Sequence, residues 1–192
     1  MIIESFFPTM IYGKDVNLDI NLFEKEIVAW SKKDPGLIKT NVNGWHSKTT
    51  MHKNSVFKPL VDELYKMQQE VFHEEFLDRF PKLGNMWANI NYKDSFNKAH
   101  MHANSHFSGV YYVKVPKDSG RLVFSDPRLG ARLVSPKLKS GEIPHHKWKE
   151  IYVDPKENRI IMFPSWLEHL VENNKTDNAR ISVSFNFVQD GF

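Results

Sequence analysis

Cysteine is absent from all 192 residues. Disulfides, thiol nucleophiles and thiolate metal ligands are therefore excluded, and the composition fits a reducing compartment, so a cytoplasmic location is expected. Long apolar runs are missing too: no stretch approaches the ~20 residues that a membrane-crossing helix needs. The opening MIIESFFPTMIYGKDV has Glu4 and no basic flank before an apolar run, which is not the pattern of a secretory leader. Charge of one sign is also scarce. The 26 basic residues against 23 acidic ones leave a formal net charge of +3, too little to argue for a nucleic-acid partner. The basic excess is partly local, between Arg121 and Lys149, and reads as solvated loop surface. One domain over 1–192 is expected, with 1–80 as a helical support region and 86–190 as a β core.

Residues 2–12 alternate as a lead-in strand would. NLDINLFEKEIVAWSKKDPG sets Leu22, Ile27, Val28 and Trp30 near one helical face, and Asp34-Pro35-Gly36 stops that helix. NGWHSKTTMHKN has no period and reads as loop. From Ser55 a second, longer amphipathic helix carries Leu60, Leu64, Met67, Val71 and Phe72. Pro59 belongs in its first turn, so the start falls between Ser55, a candidate N-cap, and Lys58. After Pro81 the pattern changes to short strands: 87–92, 107–115, 121–124, 149–153, 159–163, 167–171 and 180–188. Helices first and strands afterwards predict an α+β, mainly β domain, an antiparallel sandwich or small barrel with the helices on one outer face.

The chemistry-bearing residues are histidines. His100, His102 and His106 fall within seven residues, ahead of the run FSGVYYVKV. Residues two apart in a strand project to the same side, so His100 and His102 are able to hold one ion from one strand end. Neutral imidazole suits iron, zinc, copper and nickel. His169, in FPSWLEHLV, is the best third candidate, because it sits between apolar runs where an unpaired ring is costly. His106 is expected behind the ligands or facing a substrate. His46, His52, His73, His145 and His146 have no supporting pattern and read as surface or loop residues. Arg180 follows His169 by eleven residues and opens RISVSFNF, with Ser182 on the same face. An Arg fork aimed into a small barrel needs an anion, either a structural carboxylate or a small carboxylate ligand.

In this ordered series the chain resembles the 2-oxoglutarate- and iron(II)-dependent oxygenases, prolyl-hydroxylase-like branch. The resemblance covers roughly 87–187: H-x-H where the family usually has H-x-D/E, then SGVYYV, SGRLVFSDPR, IIMFPSWLEHLV and RISVSF. It implies a double-stranded β-helix (jelly-roll) with the N-terminal helices packed on one sheet. It also implies Fe(II) held by His100, His102 and His169, with 2-oxoglutarate bound by Arg180, Ser182 and Tyr112. Tyr111 would face the other side of the sheet. The family's usual shell is two histidines and a carboxylate. Here three sets stay open: three histidines; His102 with Asn104 in the later position and water completing the shell; or Asp126 swinging in from FSDPR.

The resemblance further implies a dioxygenase that hydroxylates a small-molecule or peptide substrate. The loop 127–148, with Arg128, Arg132, Lys137, Lys139, His145, His146 and Lys147, is long enough to be a lid or binding loop. Trp87, Phe163 and Trp166 are available as pocket walls. Two other classes share the histidines. One is a non-catalytic, cupin-like metal- or sugar-binding module, in which Arg180 makes a structural ion pair. The other is a three-histidine zinc hydrolase or hydratase with Glu168 as partner.

Overall fold

The structure is a computed structural model and describes residues 1–4, 6–134 and 136–188; Gln189 and Asp190, the end of the expected β core, lie outside them. In chain order the elements are β1 (Tyr12–Asp15), α1 (Ile20–Ser31), β2 (Asn41–Val42), β3 (Trp45–His46), α2 (Lys58–Glu74), β4 (Lys82–Asn91), β5 (Phe96–His100), β6 (Phe107–Lys114), β7 (Leu122–Ser125), α3 (Leu129–Leu133), β8 (Glu150–Val153), β9 (Arg159–Pro164), β10 (His169–Val171) and β11 (Arg180–Val188). They form two antiparallel sheets. The major sheet runs β1-β9-β6-β11-β4-β3 and the minor sheet β2-β5-β10-β7-β8. This is the double-stranded β-helix that the sequence implied, with α1 and α2 against the major sheet.

Alternation along the central strands sorts the two faces of the major sheet. Ile181, Val183, Phe185 and Phe187 of β11 turn to the helices, as do Met86, Ala88 and Ile90 of β4 and Tyr111 and Val113 of β6. They meet Phe23 and Ile27 of α1 and Leu60, Leu64, Met67, Val71 and Phe72 of α2 in one core. Leu60 and Leu64 are fully buried, and each contributes about 1.5–3 kcal/mol on that account. On the opposite face, Tyr112, Ile161 and Phe163 pack against Leu122 and Phe124 of the minor sheet in a second, smaller cluster. Gly109 lets the layers close. A Cβ there would sit 2.2 Å from Phe185 Cζ and 2.5 Å from the Ile161 carbonyl oxygen.

Four local expectations are corrected. Strand pairing begins only at Tyr12, where β1 joins the β9 edge; residues 6–11 have no strand neighbour, so their alternation is not used. In α1, capped by Asp19 accepting from the Leu22 amide, the buried positions are Phe23 and Ile27, while Leu22 is exposed. The longer helix begins at Lys58, inside the expected range and after a 3-10 turn over 55–57, but Asn54 rather than Ser55 accepts from an orphan amide, that of Val56. The stretch read as loop contributes β3, and β2 lies just before it; β2 joins the edge of the minor sheet and β3 that of the major sheet, so 41–46 passes from one sheet to the other. No helix among the described residues is long and apolar enough to cross a membrane.

Candidate metal and cosubstrate site

A cavity of about 280 Å³ lies between the sheets. His100 ends β5 and is the direct cross-strand partner of His169, which opens β10. His102 lies just past the end of β5, held by its amide donating to the Ser165 carbonyl at 3.0 Å. The H-x-H pair therefore converges because the chain turns after His100, not because both residues stand on one strand. The ring centroids lie 4.4 Å (His100–His169), 5.0 Å (His100–His102) and 5.1 Å (His102–His169) apart. One ring nitrogen from each falls within 4.8 Å of the others.

The rings are prepared as neutral donors. Nδ1 of His100 lies 2.7 Å from the Lys98 carbonyl and Nδ1 of His169 lies 2.9 Å from that of Leu167. A carbonyl only accepts, so Nδ1 carries the proton and Nε2 presents its lone pair, the arrangement a metal needs. Burial lowers all three rings. His102 falls to about 3, through desolvation and then the neighbouring His169 and His100. His169 falls to about 4, through desolvation and then His100. His100 is lowered by desolvation, against the opposing hydrogen bond to Lys98.

Arg180 lies on the same cavity, 2 % exposed. Nη1 donates to the carbonyls of Ser119 and Gly120 at 2.8 and 2.8 Å, and Nε is buried without a partner. Among the described residues no carboxylate pairs with it, so the structural ion pair required of a binding module is absent. Burial pulls this guanidinium below its ordinary range, opposed by Tyr112. Tyr112 and Ser182, cross-strand partners on β6 and β11, line the cavity beside it. Burial pushes the Tyr112 hydroxyl up to about 12. Tyr111 faces the helices.

Asp126 is elsewhere. Its carboxylate is gripped by Arg128 at 2.9 and 2.8 Å, and it is not part of the histidine group. Neither His106 nor Asn104 is among the cavity-lining residues. Glu168 pairs with Arg132 at 3.5 Å, away from the cavity lining. Trp87 and Phe163 form walls, while Trp166 stands 54 % exposed outside. The loop 127–148 contains α3 and a 3-10 turn, and its described residues are largely exposed.

Sequence reasoning missed His46, which is buried, stacks on Trp87 (5.3 Å, 11°) and lines the cavity. It also passed over Asn85, Asn89, Ser184 and Asn186, all lining residues. The alternation of WANIN and RISVSFNF carried the signal for the last three, since each shares the parity of Trp87 or Arg180. His46 had none, because a two-residue strand leaves no period.

Residues 85–186 match the family model described as "Putative 2OG-Fe(II) oxygenase". No curated protein matches. Among solved structures, a Pseudomonas putida prolyl-4-hydroxylase is 15 % identical, over 95 % of this chain and 94 % of that one, at a TM-score of 0.61. The epimerase SnoN from nogalamycin biosynthesis, in complex with Fe3+ and alpha-ketoglutarate, is 12 % identical over 94 % and 79 %, at 0.71. HygX from Streptomyces hygroscopicus, with nickel and 2-oxoglutarate bound, is 13 % identical over 96 % and 84 %, at 0.64. At such identities these likenesses speak to the fold. The family match spans more than half of the chain, and by it this chain belongs to the 2OG-Fe(II) oxygenase family, whose cofactors are iron(II) and 2-oxoglutarate.

Proposed function

We propose that the protein hydroxylates a small-molecule or peptide substrate, with His100, His102 and His169 holding iron(II). Arg180, helped by Ser182 and Tyr112, would take the far carboxylate of 2-oxoglutarate. The carrying observation is Arg180: a guanidinium 2 % exposed, with an unpartnered Nε and no carboxylate partner among the described residues, on a cavity that also holds the three-histidine group. A buried cation without a counter-ion is costly. A dicarboxylate reaching from the metal supplies the anion and explains why both features share one cavity.

The donor set fits iron(II). Imidazole is a suitable ligand, and two of the rings have Nδ1 fixed by a backbone carbonyl, which leaves Nε2 for the metal. When bound, iron(II) with 2-oxoglutarate and dioxygen supplies oxidative decarboxylation of the cosubstrate and insertion of one oxygen atom into a substrate C–H bond. The chain's own work is to bind, orient and exclude water. Arg180 sets the cosubstrate's far end. The Ser119 and Gly120 carbonyls hold Nη1 and so fix the plane of the guanidinium. Val110, Leu122, Phe163 and Val171 supply the apolar part of the lining. With three histidines and no carboxylate, the shell is one charge more positive than a two-histidine, one-carboxylate shell. That strengthens its hold on an anionic cosubstrate. The test is anaerobic addition of iron(II) and 2-oxoglutarate: a weak visible charge-transfer band is expected, and its absence in iron-loaded protein overturns the assignment.

A further inference from the structure

The β3–β4 wall of the cavity holds polar groups that the metal and cosubstrate roles leave unused. His46 and Asn89 are direct cross-strand partners, so their side chains stand together on one face of the sheet. Both line the cavity, and they are only 5 % and 7 % exposed. Nδ1 of His46 lies 2.6 Å from the Ser47 carbonyl. That carbonyl only accepts, so the neutral ring carries its proton on Nδ1 and a lone pair on Nε2. Stacking on Trp87 fixes the ring plane. Asn89 donates through Nδ2 to Ser184 Oγ at 3.0 Å, while its Oδ1 is buried with no partner. Buried acceptors are normally paired, so the orphaned Asn89 Oδ1, on the strand position paired with His46, calls for a donor.

The charge around them narrows what the donors belong to. Among the described residues no Asp or Glu lines the cavity, and its Lys39 and Arg180 are both cationic. A cationic group would find no counter-ion. An anionic group such as a carboxylate brings no hydrogen to either acceptor. Burial, with Lys39 nearby, also disfavours protonation of His46, which keeps Nε2 an acceptor.

We propose that this wall is the substrate-recognition subsite, in which His46 Nε2 and Asn89 Oδ1 accept hydrogen bonds from an uncharged substrate group carrying two neighbouring donors, a carboxamide nitrogen or a pair of adjacent hydroxyls. The inference rests on the oxygenase reading only in calling that ligand the substrate.

The test uses the ¹⁵N-labelled full chain without added metal, titrated with propionamide and with ethylene glycol as neutral donor probes, and with propionate and guanidinium as charged controls. A saturable shift of the His46 Nε2 resonance is expected with a neutral probe. His46→Phe keeps a ring on Trp87 but removes the acceptor. Followed through the Trp87 indole signal, it is expected to weaken that probe about tenfold. Its affinity for 2-oxoglutarate, measured anaerobically with iron(II), should stay within about twofold. Three results overturn the proposal. No neutral probe gives a saturable shift, so the wall holds water only. A charged control binds better than either neutral probe. Or His46→Phe weakens 2-oxoglutarate as much as the probe, which would assign the pair to the cosubstrate. Failure of the oxygenase reading shows separately, as a missing charge-transfer band in the parent protein.

Discussion

Arg180→Lys keeps a positive charge and removes a planar fork. In the parent, Nη1 is held by two carbonyls while Nε is buried without a partner. One guanidinium thus both anchors itself and offers donors to a ligand. A lysine has a single ammonium at one point, and the Ser119 and Gly120 carbonyls are placed to claim it. Losing one charge-assisted hydrogen bond costs about 1.5–3 kcal/mol, so 2-oxoglutarate should bind roughly 10- to 150-fold more weakly. On the proposed ligand set iron(II) alone would touch only the histidines, so its affinity should change by less than about threefold. Anaerobic titration of the charge-transfer band reads the first quantity, and calorimetry without cosubstrate reads the second. Arg180→Met adds a stability readout. Because the parent guanidinium has no counter-ion among the described residues, this variant is expected to be at least as stable as the parent without ligand. Cosubstrate at a hundredfold excess over its Kd stabilises the parent by about 2.7 kcal/mol, and that gain should vanish in Arg180→Met. Parent-like 2-oxoglutarate affinity in Arg180→Lys would refute the argument.

Other substitutions probe the metal site and the fold. His169→Ala should abolish stoichiometric iron binding in an anaerobic titration, and undiminished binding would remove His169 from the shell. His100→Ala should weaken iron by at least roughly ten- to a hundredfold, the range lost with outer-shell partners alone. Asp126→Ala should leave iron unchanged, because that carboxylate is engaged by Arg128; the reverse ranking would restore Asp126 as the ligand. Acidification should destabilise the metal-free protein. His102 and His169 sit at about 3 and about 4 when folded, below the ordinary ~6.5, so between these values the unfolded chain binds more protons. Their contribution is therefore complete above about pH 6.5 and is lost as pH falls toward 4. Urea midpoints at pH 7 and pH 5 measure it, and a flat profile would mean the rings are not buried neutral. Gly109→Ala should cost about 1–3 kcal/mol or more by overpacking against Phe185 and the Ile161 carbonyl; an unchanged melting temperature would show that the layers can separate there.

The sequence was most legible where periodicity was long and both neighbours were present. α2 buries the residues its pattern nominated, Leu60, Leu64, Met67, Val71 and Phe72, and β11 spans the expected 180–188. It was least legible where a strand exists only because another edge recruits it. FNKAH is polar and partly exposed, yet it pairs with both β2 and β10 to become β5. Nothing local in that run announces a strand, and so the expectation that His100 and His102 share one strand fails: β5 ends at His100. His46 was lost for the same reason. Its burial comes from pairing with β4 and stacking on Trp87, contacts separated by some forty residues along the chain. Residues 2–12 erred the other way: alternation was present, but there was no edge to receive all of it.

Strand β11 divides its obligations by parity. Ile181, Val183, Phe185 and Phe187 meet the helices, and Arg180, Ser182, Ser184 and Asn186 meet the cavity. Selection for packing and selection for ligand choice therefore act on different residues of one continuous segment. A library confined to Ser184 and Asn186 would vary the shape and hydrogen-bonding of the cavity floor without touching a residue that holds the helical layer in place. The helical layer would keep its contacts, and the bonds that Asn186 makes to Ser108 and Asn85 are the ones such a library would have to replace.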